Sequence, residues 1–185
     1  HEETGLVNGA ANIDQGLGVS IDLRGDAQTG LVGYRGKRHA GLIDVDQKGA
    51  LLVSQYWEPI YHDDTNEIIL DPDEFYILAS REAVTIPASH AAEMVPFNPL
   101  VGEFRVHYAG FFDPGFGMNE AGGAGSRAVL EVRSREVPFI LEHGQIIGRL
   151  IYERLTDMPK TLYGSGLNSN YQAQGLKLSK HFKSD

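Results

Sequence analysis

Cysteine is absent from all 185 residues. That removes disulfides, thiolate nucleophiles and any zinc site built on cysteine, and it suits a reducing, cytoplasmic setting. Long apolar runs are absent too: none approaches the roughly 18 residues that a membrane-spanning helix needs, so no membrane partner is expected. Helical periodicity is scarce, and no charged stretch followed by an apolar one marks a secretory leader. Basic residues are in the minority. Lys and Arg number 16 against 25 Asp and Glu, for a formal net charge of −9. That balance argues against DNA or RNA as a partner, because nucleic-acid binding requires a basic face. A hydrophobic share of 42% is nevertheless enough for a core. The length suits one domain, or at most two small ones. The chain starts His1-Glu2-Glu3-Thr4 without an initiator, which reads as a piece of something longer.

What is present is turn-rich. With 22 glycines and 8 prolines, short apolar runs of four to eight residues alternate with turn signals, the pattern of an all-β sandwich or barrel. The expected strands are Val19–Leu23, Gly41–Val45, Ala50–Val53, Ile68–Leu70, Glu74–Leu78, Glu82–Ile86, Phe104–Tyr108, Ala128–Val132, Val137–Leu141 and Ile147–Leu155. A short helical turn is expected at Ser89–Ala92, with Ser89 as its cap. Residues 1–17 read as an N-terminal arm, 18–155 as the β domain with 117–126 an inserted loop, and 156–185 as a C-terminal tail or lid.

Several segments carry side chains that can do chemistry. In Phe111-Phe112-Asp113-Pro114-Gly115-Phe116, Asp-Pro-Gly is a turn signal, and its carboxylate can either serve the local backbone or meet a sugar hydroxyl. In Ser126–Arg133, strand alternation puts Ala128, Leu130 and Val132 on one face and Val129, Glu131 and Arg133 on the other. Glu131 then either forms an exposed ion pair with Arg133 or, inside a pocket, acts as a general base towards water. Pro138–Leu150 reads as a core hairpin turning at His143-Gly144; Gln145 can also face a site, which the hairpin alone does not decide. The tail combines Tyr171, Gln172 and Gln174 with Lys177, Lys180 and His181. It is either a solvated terminus or a lid suited to an anionic aromatic ligand. The run Arg35, Lys37, Arg38, His39 reads as a solvated loop. His62-Asp63-Asp64 and His107 lack partners at metal-ligand spacing.

In this order the segments resemble the dCTP deaminase branch of the dUTPase-like superfamily. The resemblance rests on Phe112-Asp113-Pro114-Gly115-Phe116, Val129-Leu130-Glu131, the hairpin from Pro138 to Leu150, and Asn170-Tyr171-Gln172-Ala173-Gln174. It implies a distorted β-barrel or jelly-roll, a trimer or pseudo-trimer with shared sites, and a triphosphate carrying Mg²⁺. It implies hydrolytic deamination of dCTP to dUTP without zinc. By the same analogy Glu131 activates the attacking water, Asp113 holds the deoxyribose 3′-hydroxyl, and Phe111 and Gln145 contact substrate. Tyr171, Gln174, Lys177 and Lys180 close over base and phosphates. One departure stands out. The family's Arg-Ser-Ser-x-x-Arg segment is replaced by Pro96-Phe97-Asn98-Pro99-Leu100-Val101-Gly102. This makes the chain most similar to the C-terminal module of a two-module enzyme, with the missing serine and arginines supplied by the other module. The alternatives are a dUTPase-type pyrophosphatase with Asp113 as base, a bifunctional deaminase–diphosphatase, and a catalytically incomplete binding module.

Overall fold

The computed structural model describes residues 14–96, 105–107, 111–118, 125–134, 136–164 and 175–183. In chain order these form β1 (Leu17–Ser20), β2 (Leu31–Gly36), β3 (Leu51–Leu52), the four-residue helix α1 (Val53–Tyr56), β4 (Trp57–Tyr61), β5 (Glu67–Leu70) and β6 (Phe75–Val84). There follow β7 (His90–Pro96), β8 (Arg105–His107), β9 (Phe111–Phe112), β10 (Ser126–Arg133), β11 (Phe139–Glu142), β12 (Ile146–Arg154) and β13 (Phe182–Lys183). The all-β expectation holds. Among the described residues the strands fall into four hydrogen-bonded sheets: β1-β12-β7-β9, β4-β2-β6-β10-β8, and the pairs β11-β5 and β13-β3.

The core lies where the inward faces of the two larger sheets meet. Val19, Leu78, Leu130, Val132 and Leu150 are almost completely buried there. β10 shows how sequence sets this. Ser126, Ala128, Leu130 and Val132 are buried, while Arg127, Val129 and Glu131 on the opposite face are half-buried, as two-residue periodicity requires. β10 is also central, paired with β6 on one side and β8 on the other, so Glu131 lies opposite Ile77 and His107. Both large sheets carry an irregularity, and polar side chains satisfy the backbone at each. Between Arg127 and Val129 the register on β6 slips, and Ser80 Oγ accepts the Ala128 N–H at 2.8 Å while donating to the Glu82 carbonyl at 2.7 Å. Between Val19 and Ser20 the register on β12 slips, and the Glu82 carboxylate takes the Ser20 N–H at 2.7 Å and the Ser20 hydroxyl at 2.6 Å.

Several expectations are corrected. Ser89–Ala92 is no helical turn. His90 opens β7, which pairs with β12 along seven residues. Gly41–Val45 is not a strand: among the described residues no neighbour pairs with it, and Leu42 is 97% exposed. Glu74–Leu78 and Glu82–Ile86 are not two strands. The Ser80 bonds carry the chain through as the single β6. Arg35 lies in β2 and is paired with Glu58 at 2.6 Å, so the expected solvated loop holds only for Lys37, Arg38 and His39, which are exposed, with Arg38 bonded to Glu74 at 2.7 Å. The tail is not featureless either. Leu178 is buried, Phe182 packs edge-on to Tyr56 and Trp57, and β13 pairs in parallel with β3. Leu17, placed in the arm by its sequence, belongs to β1 and to the core.

Candidate active site

A cavity of about 330 Å³ opens on the outward face of β10. Phe75 and Ile77 of β6 and Val129 of β10 floor it. Phe111, Phe112 and Phe116 wall one side, and Trp57 with the tail residues Leu178 and Phe182 wall another. Its polar groups are few and of both signs: Glu131, Asp113, Arg127, Lys177 and Ser179. Apolar walls with a handful of convergent charged groups are the make-up of a small-molecule site. A second groove of about 440 Å³ runs along β2 and β4, but its acid, Glu58, is already engaged by Arg35.

Asp113 reaches the cavity because its turn is rigid. The Phe116 N–H donates to the Asp113 carbonyl at 3.1 Å, Pro114 follows Asp113, and Gly115 sits at φ +96°. That is a type II turn, with proline and glycine where it needs them. The turn is stapled from two sides. Ile86 exchanges N–H and carbonyl bonds with Phe116 and Gly115 at 2.8 and 3.0 Å, and the Tyr163 N–H donates to the Pro114 carbonyl at 2.8 Å. Phe116 packs edge-on to Phe112 at 5.1 Å and against Tyr163 at 5.7 Å.

Glu131 makes no ion pair with Arg133 among the described residues. Arg133 instead lies over the Phe75 ring, 5.3 Å from its centre. The cation that does join the cavity from β10 is Arg127. Its Nη2 donates to Oδ2 of the buried Asp22, whose Oδ1 accepts the Arg24 N–H at 2.9 Å. Beside Asp22 sits His143. Its Nδ1 accepts the Leu23 N–H at 3.1 Å, with Asp22 Oδ1 at 3.5 Å. A ring nitrogen that accepts an N–H carries no proton, so this imidazole is neutral and forms no charge pair with Asp22. Burial holds its pKa below the ordinary value. The Asp22 carboxylate pulls the other way, while Arg24, Arg81 and His62 reinforce the lowering.

The structure thus brings Glu131, Asp113, Phe111 and Lys177 to one cavity. Gln145 is not brought there. Its side-chain oxygen accepts the Glu142 N–H at 3.0 Å and closes the β11–β12 turn. Lys180 is exposed and does not line the cavity; its carbonyl accepts the Gly49 N–H. Tyr171 and Gln174 lie outside the described residues. Sequence reasoning missed Arg127, Trp57 and Tyr163 as site residues. Arg127 was accessible, because it shares the parity of Val129 and Glu131 on β10.

The model of the 2′-deoxycytidine 5′-triphosphate deaminase C-terminal domain matches residues 1–182. The chain belongs to that family. A solved structure of 2′-deoxycytidine 5′-triphosphate deaminase from Agrobacterium tumefaciens is 60% identical with a TM-score of 0.79, covering 86% of this chain and 47% of that one. The dUMP-forming dCTP deaminase of Beutenbergia cavernae is 32% identical over 116 residues, covering 60% of this chain and 56% of the relative. That of Clavibacter michiganensis subsp. michiganensis is 36% identical over 110 residues, covering 57% and 51%. This dCTP deaminase C-terminal domain therefore spans about half the length of the relatives it matches. Its all-β architecture is that of the deaminase fold. No helix among the described residues is long and apolar enough to cross a membrane, and none of them form a group of three or more His, Asp or Glu placed to hold a metal.

Proposed function

We propose that the β10 cavity takes the nucleoside part of dCTP and that the protein catalyses its hydrolytic deamination. The observation that carries this is Glu131, a carboxylate on the outward face of a central strand, sharing an apolar-walled cavity with Asp113. Water oxygen bonds to C4 of cytosine as Glu131 accepts its proton. That proton passes to the 4-amino group, the remaining hydroxyl proton ends on N3, the C4–N bond breaks, and ammonia leaves with a C4 carbonyl in its place. Asp113, fixed on its type II turn, accepts a hydrogen bond from the 3′-hydroxyl. The tail, docked through Leu178 and Phe182, covers the site and brings Lys177 towards the phosphates. Mg²⁺ in this scheme enters as the counterion of the triphosphate. The groups that the family's serine and arginines supply come from a second module or subunit, since Pro96–Gly102 offers neither residue type.

The first product of this scheme is dUTP. The names of the relatives favour a second step, because both are dUMP-forming. Asp113 stands in the same cavity and is the carboxylate that would activate a second water, at phosphorus. The test is to supply dCTP and Mg²⁺ to the protein and measure ammonia and pyrophosphate separately. Ammonia alone marks a deaminase, both together a bifunctional enzyme, and no ammonia from dCTP, with pyrophosphate released when dUTP is supplied in its place, removes the deaminase assignment. Glu131→Gln is expected to lower ammonia release by at least ~100-fold, while dCTP still quenches or enhances the fluorescence of Trp57, the single tryptophan, which lines the cavity. Wild-type turnover in that variant would take Glu131 out of the base role.

A further inference from the structure

We propose that Arg127, held from behind by Asp22, is the cation that fixes the polyphosphate end of the nucleotide; this rests on the dCTP reading above. Arg127 and Glu131 are four residues apart on the same face of β10, which separates them by roughly 13 Å along a strand. Both line the cavity, so a ligand with its base at Glu131 extends towards Arg127. Asp22 does not line it. Its side chain is 6% exposed against 29% for Arg127, so of the pair only the guanidinium meets the ligand.

The local structure serves to hold that guanidinium. A buried carboxylate takes one terminal nitrogen, Nη2, and Asp22 is the only hydrogen-bonding partner of Arg127 among the described residues. The other N–H groups of the planar fork keep a fixed direction, the arrangement suited to phosphate oxygens. The irregularity opposite Arg127 lies in β6, where Ala83 to Ala79 spans the two residues from Arg127 to Val129, so Arg127 keeps the regular alternation of β10 and the face of Glu131. Finally, the tail rests on this residue. A Cβ placed on Gly175 would lie 3.9 Å from Arg127 Cδ, and Lys177, two residues on, lines the same cavity. Because Asp22 offsets much of the charge of Arg127, selectivity comes from directed hydrogen bonds more than from the long-range field. The contrasting role is a purely structural pair tying Asp22 to β10, whose loss would weaken every ligand equally.

The experiment measures binding of dCTP, dCMP and deoxycytidine to the whole protein by Trp57 fluorescence, with inorganic tripolyphosphate as competitor. In Arg127→Gln the preference for dCTP over deoxycytidine is expected to fall by about tenfold or more. Deoxycytidine affinity should stay within about twofold, and competition by tripolyphosphate should weaken in parallel. Arg127→Lys keeps the charge without the fork. It covers the case in which the glutamine variant does not fold, and its expected loss of preference is smaller but in the same direction. An unchanged dCTP-to-deoxycytidine ratio in either folded variant overturns the assignment, as does an equal loss for all three ligands. If the wild type binds none of the cytosine ligands, it is the deaminase reading that fails. Tripolyphosphate bound equally well by wild type and both variants would likewise place the phosphate site elsewhere.

Discussion

At the scale of single residues, the corner around Asp22 shows how burial fixes protonation. The Leu23 backbone is held from two sides: its N–H donates to His143 Nδ1 at 3.1 Å, and its carbonyl accepts from His62 Nδ1 at 3.0 Å. Protonating His143 at Nδ1 removes the acceptor that the Leu23 N–H needs. Its folded-state pKa is held below 6.5, chiefly by burial. The unfolded chain therefore binds more protons than the folded one as pH falls below 6.5, and stability rises with pH through that window. The contribution is complete above 6.5 and declines as pH drops towards the folded pKa. In thermal melts across this range, His143→Gln should flatten the slope of melting temperature against pH, because glutamine can accept the same N–H without titrating. Parallel slopes for wild type and variant would mean that other groups carry the dependence.

At the scale of elements, the type II turn and the tail dock decide whether the cavity exists. Gly115 sits at φ +96°, and a Cβ there would lie 2.8 Å from Leu162 Cβ. Gly115→Ala thus meets backbone strain and a clash together, and a loss of roughly 1–3 kcal/mol is expected. The KM for dCTP should rise with it, since Asp113 moves with the turn. The tail is held differently. β13 pairs with β3 over only two residues, so its hold comes from Phe182 against Tyr56 at 5.5 Å and Trp57 at 5.9 Å. Phe182→Ala should raise amide exchange at residues 175–183 far more than in β10, and raise the KM for dCTP, with each lost ring contact worth about 1 kcal/mol. Uniform exchange changes across both elements would show that the tail is not an independent unit. Elements differ in how legible they were. β10 and β12 are visible as apolar patterns because they are packed along their length. β2 and β4 are hidden by Gly33, Gly36 and Pro59. Gly33 is needed because a Cβ would meet the Ile77 carbonyl at 2.5 Å, and Pro59 is tolerated because β4 is an edge strand. Gly41–Val45 shows the opposite error: a strand-like composition forms no strand where no neighbour pairs with it.

At the scale of the whole molecule, the cavity is legible in pieces and its assembly is not. Asp113, Glu131 and Lys177 lie on a turn, a strand and a tail, and no local pattern states that these three converge. The parity of Arg127 with Glu131 is legible on β10, but its pairing with Asp22, 105 residues away in the chain, is not. The same view of the molecule yields a last prediction. Among its polar groups the cavity holds two acids and two bases, Asp113, Glu131, Arg127 and Lys177. Pro96–Gly102 contains no serine or arginine, where the resemblance implies groups that polarise the attacking water, and the chain covers 47% of the Agrobacterium deaminase. A site short of one polarising donor loses on the order of 100- to 1000-fold in turnover. The 185 residues alone should therefore bind dCTP, as read by Trp57, yet release ammonia at least ~100-fold more slowly than when produced with the other half of such a longer protein. Adding that half in trans should restore much of the rate if the two associate into a shared site. Comparable ammonia release from the 185 residues alone would show instead that the β10 cavity is complete by itself, with Arg127 and Lys177 standing in for the missing arginines.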